Sequence, residues 1–273
     1  MTHFTAQIFS LSSAFFNWGL IWLAAAAFLG GALNAVAGGG SFLLFPALLG
    51  TGILPVQANA TNTVALWPGQ LTSIAAYRQH VRKHLRLAIL MGLAGFVGGT
   101  IGAIVLLNTP QQTFLHLVPW LLLIAATIFA ASGPVTRWLD KRKGKSPTVK
   151  PDPPRLPLFL LTVIVCFYIG YFGAGAGFLI ITLLSVFGMQ DMNEINALKV
   201  VSTTMANGVA FVIFVVGRQV EWRYCLLAMV AAAIGGYSSA SLARFVPPKA
   251  LRVAVIVIGF GMAAWFFWKN SGK

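Results

Sequence analysis

The residues able to do chemistry in this chain are polar groups stranded in apolar sequence. Gly38, Gly39, Gly40 and Ser41 interrupt one hydrophobic run, and about twenty residues later comes Asn59-Ala60-Thr61-Asn62-Thr63, with Gln70 two turns further on. The second half carries a matching set: Gly175, Gly177, Asn196, Lys199, Ser202, Thr203 and Asn207. A glycine break followed by a short apolar helix aims free backbone N–H groups, and the positive end of the helix dipole, back at the break. Two such starts meeting at membrane depth would hold a small oxyanion, with the Ser41 hydroxyl as an extra donor and Lys199 as a fixed positive charge. Backbone released from helical bonding is tolerated in a bilayer only where protein or a water-filled cavity satisfies it.

The groups needed for other chemistries are missing. There are five carboxylates, Asp140, Asp152, Asp191, Glu194 and Glu221, all expected in connections or at helix ends. None is therefore expected to relay protons or bind sodium at depth. No nucleophile elbow, His-Glu-x-x-His, P-loop or Cys/His cluster occurs. An embedded enzyme or a nucleotide-driven pump is not expected, nor is any cofactor or metal. Cys166 and Cys225 lie in separate apolar segments and read as small buried hydrophobes.

The elements that must position these groups are membrane helices. The chain is 58% hydrophobic and 9% charged, with mean hydropathy +0.82, far from the roughly 25% charged residues of a soluble domain. Eight segments are apolar over the roughly 20 residues that a crossing requires, at about 15–36, 58–77, 85–107, 114–139, 156–172, 196–216, 224–245 and 250–268. The pieces at 42–49 and 178–187 are too short to cross and read as half-helices. Sliding the chain by 137 residues aligns Gly38 with Gly175, Gly40 with Gly177, Asn59 with Asn196, Asn62 with Lys199, Gln70 with Asn207, and Pro110 with Pro247. The expected architecture is thus an all-α integral membrane protein of about eight transmembrane helices. They form two four-helix repeats, each with a glycine-broken half-helix: residues 1–139, a basic and proline-rich cytoplasmic linker at 140–155, and residues 156–273. Carriers built this way place their site between the repeats.

The net charge of +14 sits in short clusters, chiefly 78–86 and 137–155, between apolar segments. That is the pattern of cytoplasmic loops, so nucleic acid is not an expected partner. The connections at 51–57, 108–112 and 189–193 carry no Lys or Arg and are expected on the outer face, which gives the halves one orientation and both termini in the cytoplasm. If the short pieces cross fully, the halves are inverted instead. Competing readings remain for the site. Close helix packing is the preferred reading for Gly98, Gly99, Gly235 and Gly236 and only the competing one for the two glycine triplets; Asn59 and Asn196 suit N-caps; and Lys199 has the stem to snorkel toward an interface.

The run AGGGSFLLFPALL…ANATNTVALWPGQL…AYR, with its degenerate copy YFGAGAGFLIITLL…NALKVVSTTMANG…GRQVEW, resembles the paired signatures of the TauE/SafE sulfite exporter family over nearly the whole chain. The resemblance implies a bacterial inner-membrane carrier exporting sulfite, sulfonates or related sulfur anions. It carries Gly38, Gly39, Gly40, Ser41, Ala60, Thr61 and Asn62 into the binding role, with Gly173, Gly175 and Gly177 in the second copy. At Lys199 the second copy departs from the Ala-Thr-Asn of the first. The expected partners are a small anion such as sulfite or a sulfonate, the lipid bilayer and, as an open alternative, further copies of the chain in a homo-oligomer. A carrier of another solute, or a non-enzymatic membrane subunit assisting sulfur metabolism, is the alternative function.

Overall fold

The computed structural model describes residues 18–34, 39–142, 155–242 and 248–271, and among them the chain is helical throughout, without strands. The first half holds α1 (Trp18–Asn34), α2 (Ser41–Gly50), α3 (Pro55–Ala76), α4 (Arg78–Lys83), α5 (Leu85–Asn108) and α6 (Gln111–Arg142). The second half holds α7 (Arg155–Tyr171), α8 (Ala176–Val186), α9 (Met192–Val216), α10 (Trp222–Leu242) and α11 (Pro248–Ser271). Among the described residues, three helices are long and apolar enough to cross a membrane by themselves: Leu85–Asn108, Met192–Val216 and the Gln111–Ile128 part of α6. The eight segments expected from hydropathy coincide in position with the eight longest helices. The starts of α1, α3, α5 and α6 each precede those of α7, α9, α10 and α11 by 137 residues.

α5 illustrates how composition dictates packing. Its large residues Leu85, Ile89, Leu93, Phe96, Ile101 and Ile104 form one exposed stripe, while Gly92, Gly95, Gly98, Gly99 and Gly102 are buried on the other face, the division that 3.6 residues per turn imposes. The stripe suits lipid, and the glycines admit neighbouring backbones. A Cβ on Gly98 or Gly102 would collide with the carbonyls of Val163 or Phe167 on α7, and one on Gly95 would lie 2.5 Å from the Ser202 carbonyl oxygen on α9. Because lipid tails are as apolar as leucine, such close approach, rather than apolar burial, holds membrane helices together. α10 meets α1 in the same manner, with Gly235 against the Phe28 backbone and Gly31 against that of Ala232.

The contacts define which helix ends lie together. Lys83 Nζ donates to Glu194 Oε1 at 2.6 Å, and His84 Nε2 lies 3.0 Å from the same oxygen. The hydrogen bond to Glu194 is the main reason the Lys83 ammonium titrates above its ordinary range. α4 and the starts of α5 and α9 therefore share one end of the bundle, here termed the basic end. α7 starts there too and runs along α5, with the Thr162 hydroxyl on Met91 Sδ and the Gly170 backbone on Gly99. The chain then turns at Gly173 (φ 78) and Gly175 (φ 71), backbone angles that favour glycine. α8 returns, packing Leu184 and Phe187 among Ala88, Leu158 and Ile195.

At the opposite end, Glu221 N–H donates to Thr61 Oγ1 at 3.0 Å and Val56 N–H to Gln111 Oε1 at 2.9 Å, joining the starts of α10, α3 and α6. α3 and α9 thus enter from opposite ends and cross near Trp67, whose Nε1–H donates to the Thr204 carbonyl at 3.1 Å. One expectation is corrected. The 189–193 connection was assigned to the face opposite the basic 78–86 connection, yet the Lys83–Glu194 pair ties the two together. The short α8 is the reason, since it carries the chain back to the end at which α7 began.

Candidate substrate cavity

A cavity of about 550 Å³ lies between α3, α9 and α10, reaching the end of α1 and the starts of α2 and α8. Nine of the residues singled out in the sequence line it: Ser41, Thr63, Gln70, Gly173, Gly177, Asn196, Lys199, Thr203 and Asn207. Each arrives by a separate local rule. Ser41 opens α2 directly after the glycine break, and Gly177 sits in the first turn of α8, whose N-cap is the left-handed Gly175. Gln70 and Asn207 meet at the α3/α9 crossing, where Asn207 Nδ2 donates to Gln70 Oε1 at 3.1 Å. Lys199 stands two turns into α9, and its stem passes over Gly177, where an added Cβ would touch Cδ at 3.5 Å.

The electrostatics favour an anion. Among the described residues no carboxylate forms an ion pair with Lys199. An ammonium unpaired in a membrane helix and facing a cavity is a costly group to retain, and an anionic occupant would compensate it. The other polar lining groups are amides, hydroxyls and the two helix starts, all of which can donate hydrogen bonds, and they are set among apolar residues such as Leu66, Ile169, Phe172 and Met229.

The remaining expected residues frame the cavity or lie away from it. Asn62 is one bond behind: its Nδ2 donates to Ser41 Oγ at 3.0 Å, and its own Oδ1 is buried without a partner. Thr61 is fully buried and spends its hydroxyl oxygen on the Glu221 N–H. Ser202 is also fully buried, donating to the Leu198 or Lys199 carbonyl, and faces α5. Gly40 has ordinary right-handed angles and packs its Cα face on the Gly30 carbonyl; Gly39 is buried beside it, and Gly175 packs on Ala125. Gly38 lies outside the described residues. Neither Asn59 nor Asn196 is an N-cap. The cap of α9 is Asp191, which accepts from Asn193 N–H at 2.8 Å, and Asn59 instead donates to the Tyr171 carbonyl at 2.9 Å, closing the C-terminus of α7 at its break.

Sequence reasoning missed Asn34, Tyr77 and Tyr237 on the cavity wall, whereas Asn196, read there as a site residue with an N-cap as the competing role, does line it. Asn34 carried a usable signal, being a lone amide in the last turn of an apolar helix just before the glycine break. Tyr77 and Tyr237 carried none, because a tyrosine at a helix end reads as an interfacial anchor.

Apolar helices with exposed aliphatic stripes, interrupted near a polar internal cavity, define a multi-pass membrane protein of the carrier class. The model of the family described as sulfite exporter TauE/SafE matches residues 23–266, and the chain belongs to that family. It is 24% identical over 242 residues to a "Probable membrane transporter protein" of Haemophilus influenzae, an alignment covering 87% of this chain and 90% of that one. It is 25% identical over 247 residues to "Probable membrane transporter protein ORF9" of a Sinorhizobium species (89% and 90% covered). It is 23% identical over 249 residues to "Probable membrane transporter protein YfcA" of Escherichia coli K12 (90% and 89%). No solved structure matches. The protein is thus a membrane transporter of the TauE/SafE family.

Proposed function

We propose that this transporter is a carrier of small sulfur-containing anions, sulfite or an organosulfonate, which it binds in the cavity between α3, α9 and α10. Lys199 supplies the charge complement, while Ser41, Thr203, Asn207, Gln70 and the α8 start at Gly177 supply hydrogen bonds. The observation that carries the reading is the unneutralised Lys199 ammonium on the wall of a cavity otherwise lined by donors and apolar residues. A volume of about 550 Å³ is ample for an organosulfonate and leaves a bare sulfite hydrated, within the range of ordinary ligand sites.

The helix directions support an inverted duplication in the inner membrane. α3, α5, α6, α9, α10 and α11 cross the bilayer, while α1 with α2 and α7 with α8 form two hairpins, each entering and leaving by one face. The contacts of Gly40 with Gly30 and Asn34, and of Gly30 with Leu44, support the first hairpin, and the return of α8 to the basic end supports the second. With the basic end cytoplasmic, this arrangement leaves both termini outside, the reverse of the orientation expected from counting loop charges. Both keep the 78–86 and 140–155 connections inside, but the inverted arrangement puts Arg218 and Arg223 outside, which the positive-inside rule mildly disfavours.

The test is uptake of radiolabelled sulfite, against sulfate, taurine and sulfoacetate, into liposomes containing the purified protein. Saturable uptake of one sulfur anion above that of empty liposomes is expected. Folded protein that moves none of the four would overturn the sulfur-anion reading.

A further inference from the structure

The 137-residue offset relates two helix seams that are in different states. On one, α5 lies closed against α9: a Cβ on Gly95 would stand 2.5 Å from the Ser202 carbonyl oxygen, and one on Gly99 would stand 2.6 Å from Ala206 Cα. The offset carries Gly95 to Ala232, Gly99 to Gly236, Ser202 to Ala65 and Ala206 to Gly69. All four of these counterparts line the cavity. The cavity therefore occupies the place where the other half has a closed seam. Gly69 has no atom within 4 Å of an added Cβ, and Gly236 has none nearer than the Gly31 oxygen at 3.6 Å, whereas their counterparts have no room at all.

The side chains along the open seam are small enough to close it. Ala232 replaces Gly95 but would meet Ala65 in place of Ser202, and Gly236 would meet Gly69 in place of an alanine. α3 and α10 are already joined at their starts by the Glu221 N–H to Thr61 bond, so closure needs only their far halves to come together. The crossing of α3 and α9 is built for such an exchange. Its two polar contacts, Trp67 to Thr204 and Asn207 to Gln70, each join residues 137 apart, as contacts on a pseudo-twofold axis must.

We propose that the carrier works by exchanging its two seams: α10 closes on α3, sealing the cavity at the basic end, while α9 parts from α5 and opens an equivalent cavity at the other. The exchange accounts for two residues that the present cavity leaves out. Ser202 lies on the seam that would part, and Asn62, the counterpart of Lys199, is buried with an unpaired Oδ1 and would take the wall position that Lys199 occupies now. This inference rests on the carrier reading and deepens it.

The test is a disulfide across the open seam. Gly69→Cys and Gly236→Cys are combined in a Cys166→Ala, Cys225→Ala background, since the native thiols are free and buried. Disulfide formation requires the two Cβ atoms to come within about 4.5 Å, which only the closed seam allows. Expected are rapid cross-linking by a mild oxidant, at least tenfold loss of uptake relative to the reduced double variant, and recovery on reduction, with the oxidant producing no further change from the reduced level in either single-cysteine variant. Both thiols reacting with a maleimide yet never with each other, or a cross-linked protein that still transports, would overturn the proposal. If the double variant does not express, Gly236→Leu takes its place: substrate binding retained with uptake lost is expected, and wild-type uptake would overturn it. Cross-linking is read without any substrate, so failure of the seam exchange is separable from failure of the sulfur-anion reading, which the wild type alone decides.

Discussion

Replacing Lys199 by methionine is the sharpest perturbation of the proposed site. Methionine keeps an unbranched, flexible side chain to lie over Gly177 and removes only the charge. At about 4 Å, an ammonium and a monoanion attract by about 4 kcal/mol at an effective dielectric constant near 20 and by about 1 kcal/mol in bulk water. The cavity is neither dry nor bulk water, so the loss should fall between these limits. At about 1.4 kcal/mol per tenfold, the apparent KM for the transported anion should rise by roughly tenfold to a few hundredfold. Lys199→Arg, which keeps the charge, should recover most of that loss. The assay is initial-rate uptake over a range of substrate concentrations in proteoliposomes, with thermal unfolding in detergent alongside. No carboxylate pairs with Lys199 among the described residues, so the charge has no structural partner to lose, and the midpoint should hold or rise. An unchanged KM in the methionine variant would refute the reasoning. So would a stability loss large enough to account for the missing uptake, because it would make Lys199 a structural residue.

Three further outcomes follow. Asn59→Ala removes the donor that closes α7 at the Tyr171 carbonyl; interhelical hydrogen bonds in membranes are typically worth about 0.6 and at most about 1.7 kcal/mol, so detergent unfolding should show a destabilisation of about 1 kcal/mol. An unaltered midpoint would mean that another donor reaches that carbonyl. A C-terminal reporter that matures only outside the cytoplasm should be active, and one that fluoresces only inside should be dark; the opposite pattern would sink the inverted arrangement. Imposing a potassium diffusion potential on the liposomes, positive inside, should speed anion uptake, because about 2.3 kcal/mol acts on each charge per 100 mV. Flux indifferent to voltage would show that the charge moves with a co-transported cation or in exchange for another anion.

How much of this was legible beforehand divides along physical lines. Helix identity is a consequence of local composition, and the positions of the helices in the structure match the sequence reading. The fate of Thr61 and Ser202 was not legible, since facing a cavity or a neighbouring helix differs by one turn of rotation, which only tertiary packing sets. Met189–Asn193 illustrates the same limit. A connection without Lys or Arg carries little topogenic signal, and the return of the chain at Gly173 and Gly175 decides which face it joins. The glycines of α5 were legible as packing residues. That the matching positions on α10 border open space was not, because the two copies differ there mainly in conformation.

The lack of symmetry between Asn62 and Lys199 bears on affinity and not on direction. A carrier that visits both orientations relays whatever gradient exists, and a lysine on one wall strengthens binding from that side without altering the equilibrium across the membrane. Direction must come from the substrate and the potential. Among the described residues, Asp140, Asp191, Glu194 and Glu221 lie in connections or at helix ends, and none of them is among the residues lining the cavity. A cell interior held negative expels a monoanion with about 2.3 kcal/mol per 100 mV, enough for a concentration ratio of roughly fifty. Export then needs no coupling ion, only a site that tolerates a lone anion at depth. In the proposed carrier a single uncompensated lysine, reached in alternation through seams that close on glycine and alanine, meets that requirement.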